Sequence, residues 1–415
     1  MTDAAPSTGP VARSGVARVA VASALTALCG YTILYLAARD LEPAVFSVFG
    51  VFWGAFGFAS GAANGLLQEA AREVREASGV LAAPRHTAPR TRPMRIAAGV
   101  GLAAAALIVG TSPLWSAHVF AESMWLSVLL LSAGLAGFCL HATLLGMLAG
   151  TNRWTEYGAL MVTDAMIRVA VAVATFVIGW GLVGFLWATV AGAASWLLLL
   201  IASPAARAAA RIRPPGTTAG YLRGTFHSIT AAGASAILVM GFPVLLKATS
   251  GDLGAAGGVV ILAVTLTRAP LLVPLTALQG NLIAHFVDRR DQRLRALALP
   301  AAVVAGVGAV GVVAAGFIGP WLLRAGFGPA YRADGALLAW LTAAAVAIAL
   351  LTLTGAAAVA AARHRAYSIG WVGATVGSVL LLLLPLDLQT RTVVALMCGP
   401  LIGIAVHLAA LARRT

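Results

Sequence analysis

The sequence predicts an all-α integral membrane protein of about twelve transmembrane helices in two halves of six. Three observations carry this. First, 60% of the 415 residues are hydrophobic and only 10% are charged, with a mean hydropathy of +0.92; soluble domains carry about 25% charged residues. Second, the apolar residues fall in runs of about 20, the length that crosses a bilayer. Third, the basic residues alternate between the segments joining those runs, dense in one set and sparse in the other.

In order, the runs are about Val16–Ala37, Ala44–Leu67, Ile96–Trp115, Met124–Ala149, Tyr157–Trp180 and Leu182–Ile201 in the first half. In the second they are about Gly224–Leu246, Leu253–Ala284, Leu297–Leu323, Gly335–Ala361, Tyr367–Leu384 and Thr392–Ala412. A tight turn at Gly181 divides runs five and six. With the N-terminus inside, 21 of the 28 basic residues lie in cytoplasmic segments and 5 in outer ones; Arg168 and Arg268 lie within runs. That asymmetry places both termini on the cytoplasmic side, and a multi-pass protein of the bacterial plasma membrane is expected. The first run is too long for a signal h-region and has no clear A-x-A site, so it reads as a retained span.

The domain division read from the sequence is a polar tail at 1–13, an N-terminal six-helix bundle at 14–203, a cytoplasmic linker at 204–222 and a C-terminal six-helix bundle at 223–415. The linker is rich in arginine and contains Pro214-Pro215. Six spans return the chain to the same side, so a repeat between halves is parallel, about an axis along the membrane normal. Residue-level identity between the halves is not evident.

Several function classes lose support. The net charge of +14 punctuates apolar runs instead of coating a soluble face, so nucleic acid is not an expected partner. Cys29, Cys139 and Cys398 make no C-x-x-C pair, and the seven histidines form no H-E-x-x-H. Neither a Walker A loop nor a G-x-S-x-G elbow occurs. No cofactor, metal or enzymatic activity is expected.

The polar residues inside the runs are the candidate site. Arg268 sits near the middle of run eight, where a guanidinium costs about 2.5–3.5 kcal/mol on insertion scales unless it faces water or a partner. Pro270 and Pro274 follow and free backbone carbonyls that protein or a wet cavity must satisfy. Arg268 therefore lines a polar cavity, or it caps those freed carbonyls. Asp164 and Arg168 lie one turn apart in run five, in the favourable order for an ion pair; they either neutralise each other or present Arg168 to an anion. In run two, Gly57, Gly61 and Gly65 share one face and allow close approach of another helix, for static packing or for sliding. That helix runs out through Asn64, Gln68, Glu69, Arg72, Glu73 and Arg75, mostly as a solvated end, with Asn64 and Glu69 deepest. Gln279 and Asn281 extend the polar side of run eight. Tyr31, Tyr35, His141 and His227 read as packing residues first. Lys247, at the outer end of run seven, is a snorkelling interface lysine or part of an outer gate; Glu69 is a candidate for the gate at the opposite end.

Three segments carry a family resemblance. Leu36-Ala37-Ala38-Arg39-Asp40-Leu41-Glu42-Pro43-Ala44-Val45-Phe46 resembles the LARxLGPxxFG segment of polysaccharide-biosynthesis flippases. Gly65–Val74 resembles the polar end of their second helix, and Leu322–Arg332 the LLxxxFGxxY segment after their ninth. The chain departs from the pattern at Glu42-Pro43 and at Ser47. These flippases belong to the multidrug/oligosaccharidyl-lipid/polysaccharide exporter superfamily. The resemblance implies two six-helix bundles around a central cavity that opens alternately to either side. It also implies a cationic cavity for the pyrophosphate of a polyprenyl-linked saccharide, with Arg268 and Arg168 in that role. Its partners would be membrane lipids, the lipid-linked saccharide, and polysaccharide polymerases or glycosyltransferases of cell-envelope assembly.

A drug or cation antiporter of the same superfamily is the nearest alternative. It wants intramembrane carboxylates, of which Asp164 is the one well placed. A major-facilitator carrier lacks its G-x-x-x-D-R-x-G-R loop here. A membrane glycosyltransferase using Asp40 and Glu42 has no large outer domain to hold an acceptor. A non-transporting scaffold is distinguished by whether cavity variants retain function.

Overall fold

The computed structural model describes residues 13–80, 89–120, 123–278 and 292–413, with 282, 285–287 and 289. The first-half helices are α1 (Arg13–Asp40), α2 (Pro43–Val80), α3 (Pro93–Val119), α4 (Met124–Gly150), α5 (Trp154–Ile178), α6 (Gly181–Ala191), α7 (Ser195–Ala202) and the short α8 (Pro204–Ala210). The second-half helices are α9 (Thr218–Val239), α10 (Phe242–Ala248), α11 (Gly254–Ala277), α12 (Arg293–Phe327), α13 (Gly335–Ala360), α14 (His364–Leu382) and α15 (Leu388–Ala412). Among the described residues, 11 helices are long and apolar enough to cross a membrane, or 12 if the bent pair α9 and α10 is one span. The all-α membrane class and the span count predicted from sequence are therefore present.

Two spans are less regular than their apolar runs predict. Run six is interrupted by a 3-10 turn, Gly192–Ala194, between α6 and α7. Run seven breaks after Val239 and resumes at Phe242 with a 70° bend. Pro243 sits in the first turn of α10. It has no N–H to bond the carbonyl four residues back, so the helix cannot continue through it. The Gly181 turn is as predicted: Gly179 and Gly181 have φ of 74° and 58°, a region that glycine reaches without a Cβ penalty.

The connections follow ordinary end chemistry. Pro93 and Pro204 open α3 and α8, where a missing N–H costs nothing. Ser203 Oγ accepts from Ala206 N at 3.1 Å. Asp387 accepts from Gln389 N and Thr390 N at the start of α15. Hydrogen bonds to Thr390 hold its carboxyl below the usual value. Thr91 N and Gly216 N bond Pro214 O and Pro89 O, pairing two connecting segments in an isolated bridge. Arginines crowd this bridge, and Arg213 and Arg95 push the exposed Arg92 guanidinium below its ordinary pKa.

Contacts group the chain into two compact units: 1–36 with 55–236, and 37–54 with 237–415. The seam therefore falls inside α1, α2 and α9, whereas the division read from the sequence put it in the 204–222 linker. The physical reason within the first unit is the glycine face of α2. A Cβ at Gly61 would lie 2.6 Å from Ala236 Cβ, and one at Gly65 would lie 2.6 Å from Ile229 Cα. This close crossing binds most of α9 to the later part of α2. In the second unit, Gly50 and Gly258 let the start of α2 approach α11 at Ile261 and Pro43.

The halves share a detail that residue identity does not reveal. The turn from α4 to α5 places Asn152 at φ 57°, and Arg153 N donates back to Leu148 O at 2.9 Å. The turn from α13 to α14 places Ala362 at φ 57°, and Arg363 N donates back to Ala358 O at 2.9 Å. Each is a left-handed helix stop followed by an arginine that precedes the next helix. They join spans four to five and ten to eleven, the positions a parallel six-plus-six repeat equates.

Candidate functional site

Among the described residues, each unit places an arginine of an apolar helix against a break in a neighbouring helix. In the second unit, α11 is apolar and buried from Val259 to Val264, and Arg268 follows at 7% exposure. Its Nη1 donates to Val239 O at 3.0 Å and to Leu238 O at 3.4 Å. Its guanidinium lies 5.3 Å from the centre of the Phe242 ring, within cation–π range. The carbonyl of Val239 would ordinarily bond the amide of residue 243, which is proline. Arg268 thus supplies the missing donor and sets a positive charge against the negative end of α9. The carbonyls shown to take its donors are those of Leu238 and Val239, where the sequence alone offers a polar cavity or carbonyls freed by Pro270 and Pro274. Pro243 was the signal for this placement, hidden inside a run read as continuous helix.

In the first unit, α5 presents Asp164 and Arg168. Arg168 Nε lies 3.1 Å from Asp164 Oδ2, and its Nη2 donates to Oδ1 at 3.1 Å. Its guanidinium lies 5.2 Å from the centre of the Phe56 ring. The pair packs on the 3-10 turn: a Cβ at Gly192 would lie 2.8 Å from Arg168 Nε and would overlap Asp164. Three residues on, Ser195 Oγ is 3.0 Å from His141 Nδ1, a buried contact, and the Phe138 ring stacks on His141 at 5.3 Å. The ion pair is as predicted; the turn that accommodates it was not read from the sequence.

The remaining candidates occupy separate places. Glu69 is 3% exposed and pairs with Arg72 at 2.6 Å, and Arg72 also reaches Glu73 and Glu76. Gly224 of α9 packs against the Glu69 carboxylate, so this pair lies at the crossing of α2 and α9. Asn64 is half-buried one turn earlier on α2. Lys247, in the last turn of α10, donates from Nζ to Gly251 O at 3.0 Å. Gln279, with Asn281, lies outside the described residues. Among the described residues, no group of three or more His, Cys, Asp or Glu is placed to hold a metal ion.

Two of the family-like segments meet in the second unit, although they lie some 290 residues apart. The Tyr331 hydroxyl donates to Leu41 O at 3.0 Å. The Tyr331 ring stands edge-on to Phe46 at 5.9 Å, and Arg39 reaches Gly326 O. Their aromatic residues are there to pack on each other. Ser47, where glycine is usual, is buried and donates to Ala44 O within its own turn.

This architecture is similar to the fold of MATE family transporters. An inward-facing multidrug resistance MATE family transporter of the MOP superfamily superposes with a TM-score of 0.67 at 13% identity, over 96% of this chain and 98% of that one. A MOP superfamily transporter from Pyrococcus furiosus, reported with a binding pocket of reversed polarity, superposes at 0.65 and 15% identity, over 96% and 95%. The fold is therefore the MOP transporter fold. No protein-family model matches the chain. The uncharacterized proteins Mb3654 of Mycobacterium bovis and Rv3630 of Mycobacterium tuberculosis are each 72% identical over 98% of this chain and 94% of theirs. Rv1510 of Mycobacterium tuberculosis is 68% identical over 100% of this chain and 96% of its own. The chain belongs to the family of these mycobacterial proteins.

Proposed function

We propose that the protein is an alternating-access transporter that moves a polyprenyl-pyrophosphate-linked saccharide from the cytoplasmic to the outer leaflet for cell-envelope assembly. The observation that carries this reading is the charge of the span interiors. Among the described residues of the apolar runs, Arg168 and Arg268 stand against Asp164, and that aspartate is already engaged by Arg168. An anionic substrate fits such an interior better than a cationic one. Arginine suits a pyrophosphate because its fork bonds two oxygens at once and stays protonated. Arg268 is the leading substrate contact, with Arg168, Asp164, Asn64 and Gln279 as further candidates and Lys247 and Glu69 as gate candidates.

Cation antiport uses the same fold and remains the competing reading. The Pyrococcus protein, described as having a binding pocket of reversed polarity that suggests a different function, shows that pocket polarity differs among proteins of this fold. Reconstituted vesicles separate the two. A fluorescent polyprenyl-pyrophosphate saccharide placed in the leaflet on the arginine-rich side is expected to become accessible to a membrane-impermeant quencher on the other. Uptake of an organic cation by the same vesicles, without movement of the lipid, would overturn the proposal.

A further inference from the structure

A second feature lies in the second unit, among residues that the transport reading does not use. A cleft of about 690 Å³ opens where the Ala362 turn meets α14 and α15. Arg363, Arg365 and Arg413 line it together with the apolar Ile369, Val406 and Ala409, and none of its lining residues is acidic. Arg363 Nη2 donates to Arg413 O at 2.8 Å, which fixes one guanidinium at the rim. Ile369 begins a line of apolar residues, Ile369, Val372, Val376 and Leu380, each at least half exposed. Their spacing of three or four puts them on one face of α14. The cleft thus leads from cationic groups to an apolar floor, and from the floor onto an exposed apolar face.

The equivalent turn of the first unit shows that this charge is not an obligatory part of the turn. There Arg153 lies 3.9 Å from Glu156, three residues on. The corresponding position after Arg363 is Ala366, which lines the cleft. The carboxylate that answers the arginine in one half has been replaced by a methyl group in the other.

We propose that this cleft binds an anionic phospholipid of the adjacent leaflet. Its phosphate contacts Arg363, Arg365 and Arg413, and an acyl chain lies over Val406 and Ile369 along α14. A free phosphate would use the arginines alone; the apolar floor and its continuation favour the lipid. Basic sites near the membrane surface attract anionic lipid by charge, roughly fivefold in affinity per arginine.

The test uses delipidated full-length protein in detergent, titrated with phosphatidylglycerol or with phosphatidylcholine of the same acyl chains and read by native mass spectrometry. Wild type is expected to prefer phosphatidylglycerol. The triple variant Arg363→Gln, Arg365→Gln, Arg413→Gln is expected to weaken its binding on the order of a hundredfold. The control triple Arg90→Gln, Arg92→Gln, Arg213→Gln, at the paired bridge of the first unit, should bind it as wild type does. Ala366→Glu, which restores the answering carboxylate without removing an arginine, should also weaken binding and covers the case of a poorly folded triple variant. Equal affinity for the two lipids, an unchanged Ala366→Glu variant, equal loss in the control, or full displacement by inorganic phosphate alone would each overturn the proposal.

Discussion

At the scale of single residues, both arginines within the apolar runs are held by neighbouring groups. Arg168 has an aspartate one turn back and an aromatic ring beneath it. If the pair only neutralises itself, Asp164→Asn combined with Arg168→Gln works better than either single change, because each single change leaves a lone charge in apolar surroundings and the double change leaves none. If Arg168 binds substrate, the double variant is as inactive as Arg168→Gln alone, and this is the expected outcome. A double-mutant cycle on transport rate decides it, and rescue by the double change removes Arg168 from the substrate path. The pair itself was legible in the sequence because four-residue spacing on a helix puts two side chains on one face. The partner of Arg268 was not, because it is a backbone carbonyl 29 residues away. Only the proline at 243 hinted that this carbonyl lacked an amide.

At the scale of elements, hydropathy located the spans and missed their interruptions. Run six is as apolar as its neighbours, and run seven is apolar on both sides of its bend, so no loss of hydrophobicity marks the 3-10 turn at Gly192 or the bend before Phe242. These breaks depend on backbone groups, and an average over side chains does not register them. The glycine face of α2 was visible as spacing, and its role is now specific: Gly61 and Gly65 admit α9. Gly65→Leu forces a side chain into the Ile229 backbone and is expected to destabilise the protein by about 1–3 kcal/mol, the usual cost of overpacking. Gly99→Leu, where nothing lies within 4 Å of the added Cβ, should be close to neutral. Thermal unfolding in detergent compares the two. Equal melting temperatures would show that the crossing tolerates a bulky side chain and has slack to slide.

At the scale of the whole molecule, the distribution of charge predicts orientation as well as span count. Accessibility tags inserted in Ser78–Pro93 and in Arg207–Pro215 are expected to react only from the cytoplasm of intact cells, since 21 basic residues lie in segments of that side and 5 in the others. Labelling of either loop from outside would invert the topology. The two-half organisation was legible in chain length and span count. The matching helix stops at Asn152 and Ala362 were not, because asparagine and alanine share no side-chain chemistry and only the backbone repeats. The family-like segments at 36–46 and 322–332 were visible as separate motifs; that they pack together through Tyr331 and Phe46 required the fold.

The central claim is that the charge of Arg268 acts on the substrate in addition to bracing the α9 break. Removing the side chain altogether confounds the two roles, since an unmet buried carbonyl costs about 1–3 kcal/mol. Arg268→Gln separates them: its amide retains an N–H for Val239 O while the charge is lost. The deciding measurement is translocation of the lipid-linked saccharide by wild type, Arg268→Gln and Arg268→Lys at matched levels of folded protein. The account predicts a folded but inactive Arg268→Gln, with Arg268→Lys retaining part of the rate because a point charge replaces the fork. Translocation by Arg268→Gln at the wild-type rate would contradict it and leave Arg268 a cap on a broken helix.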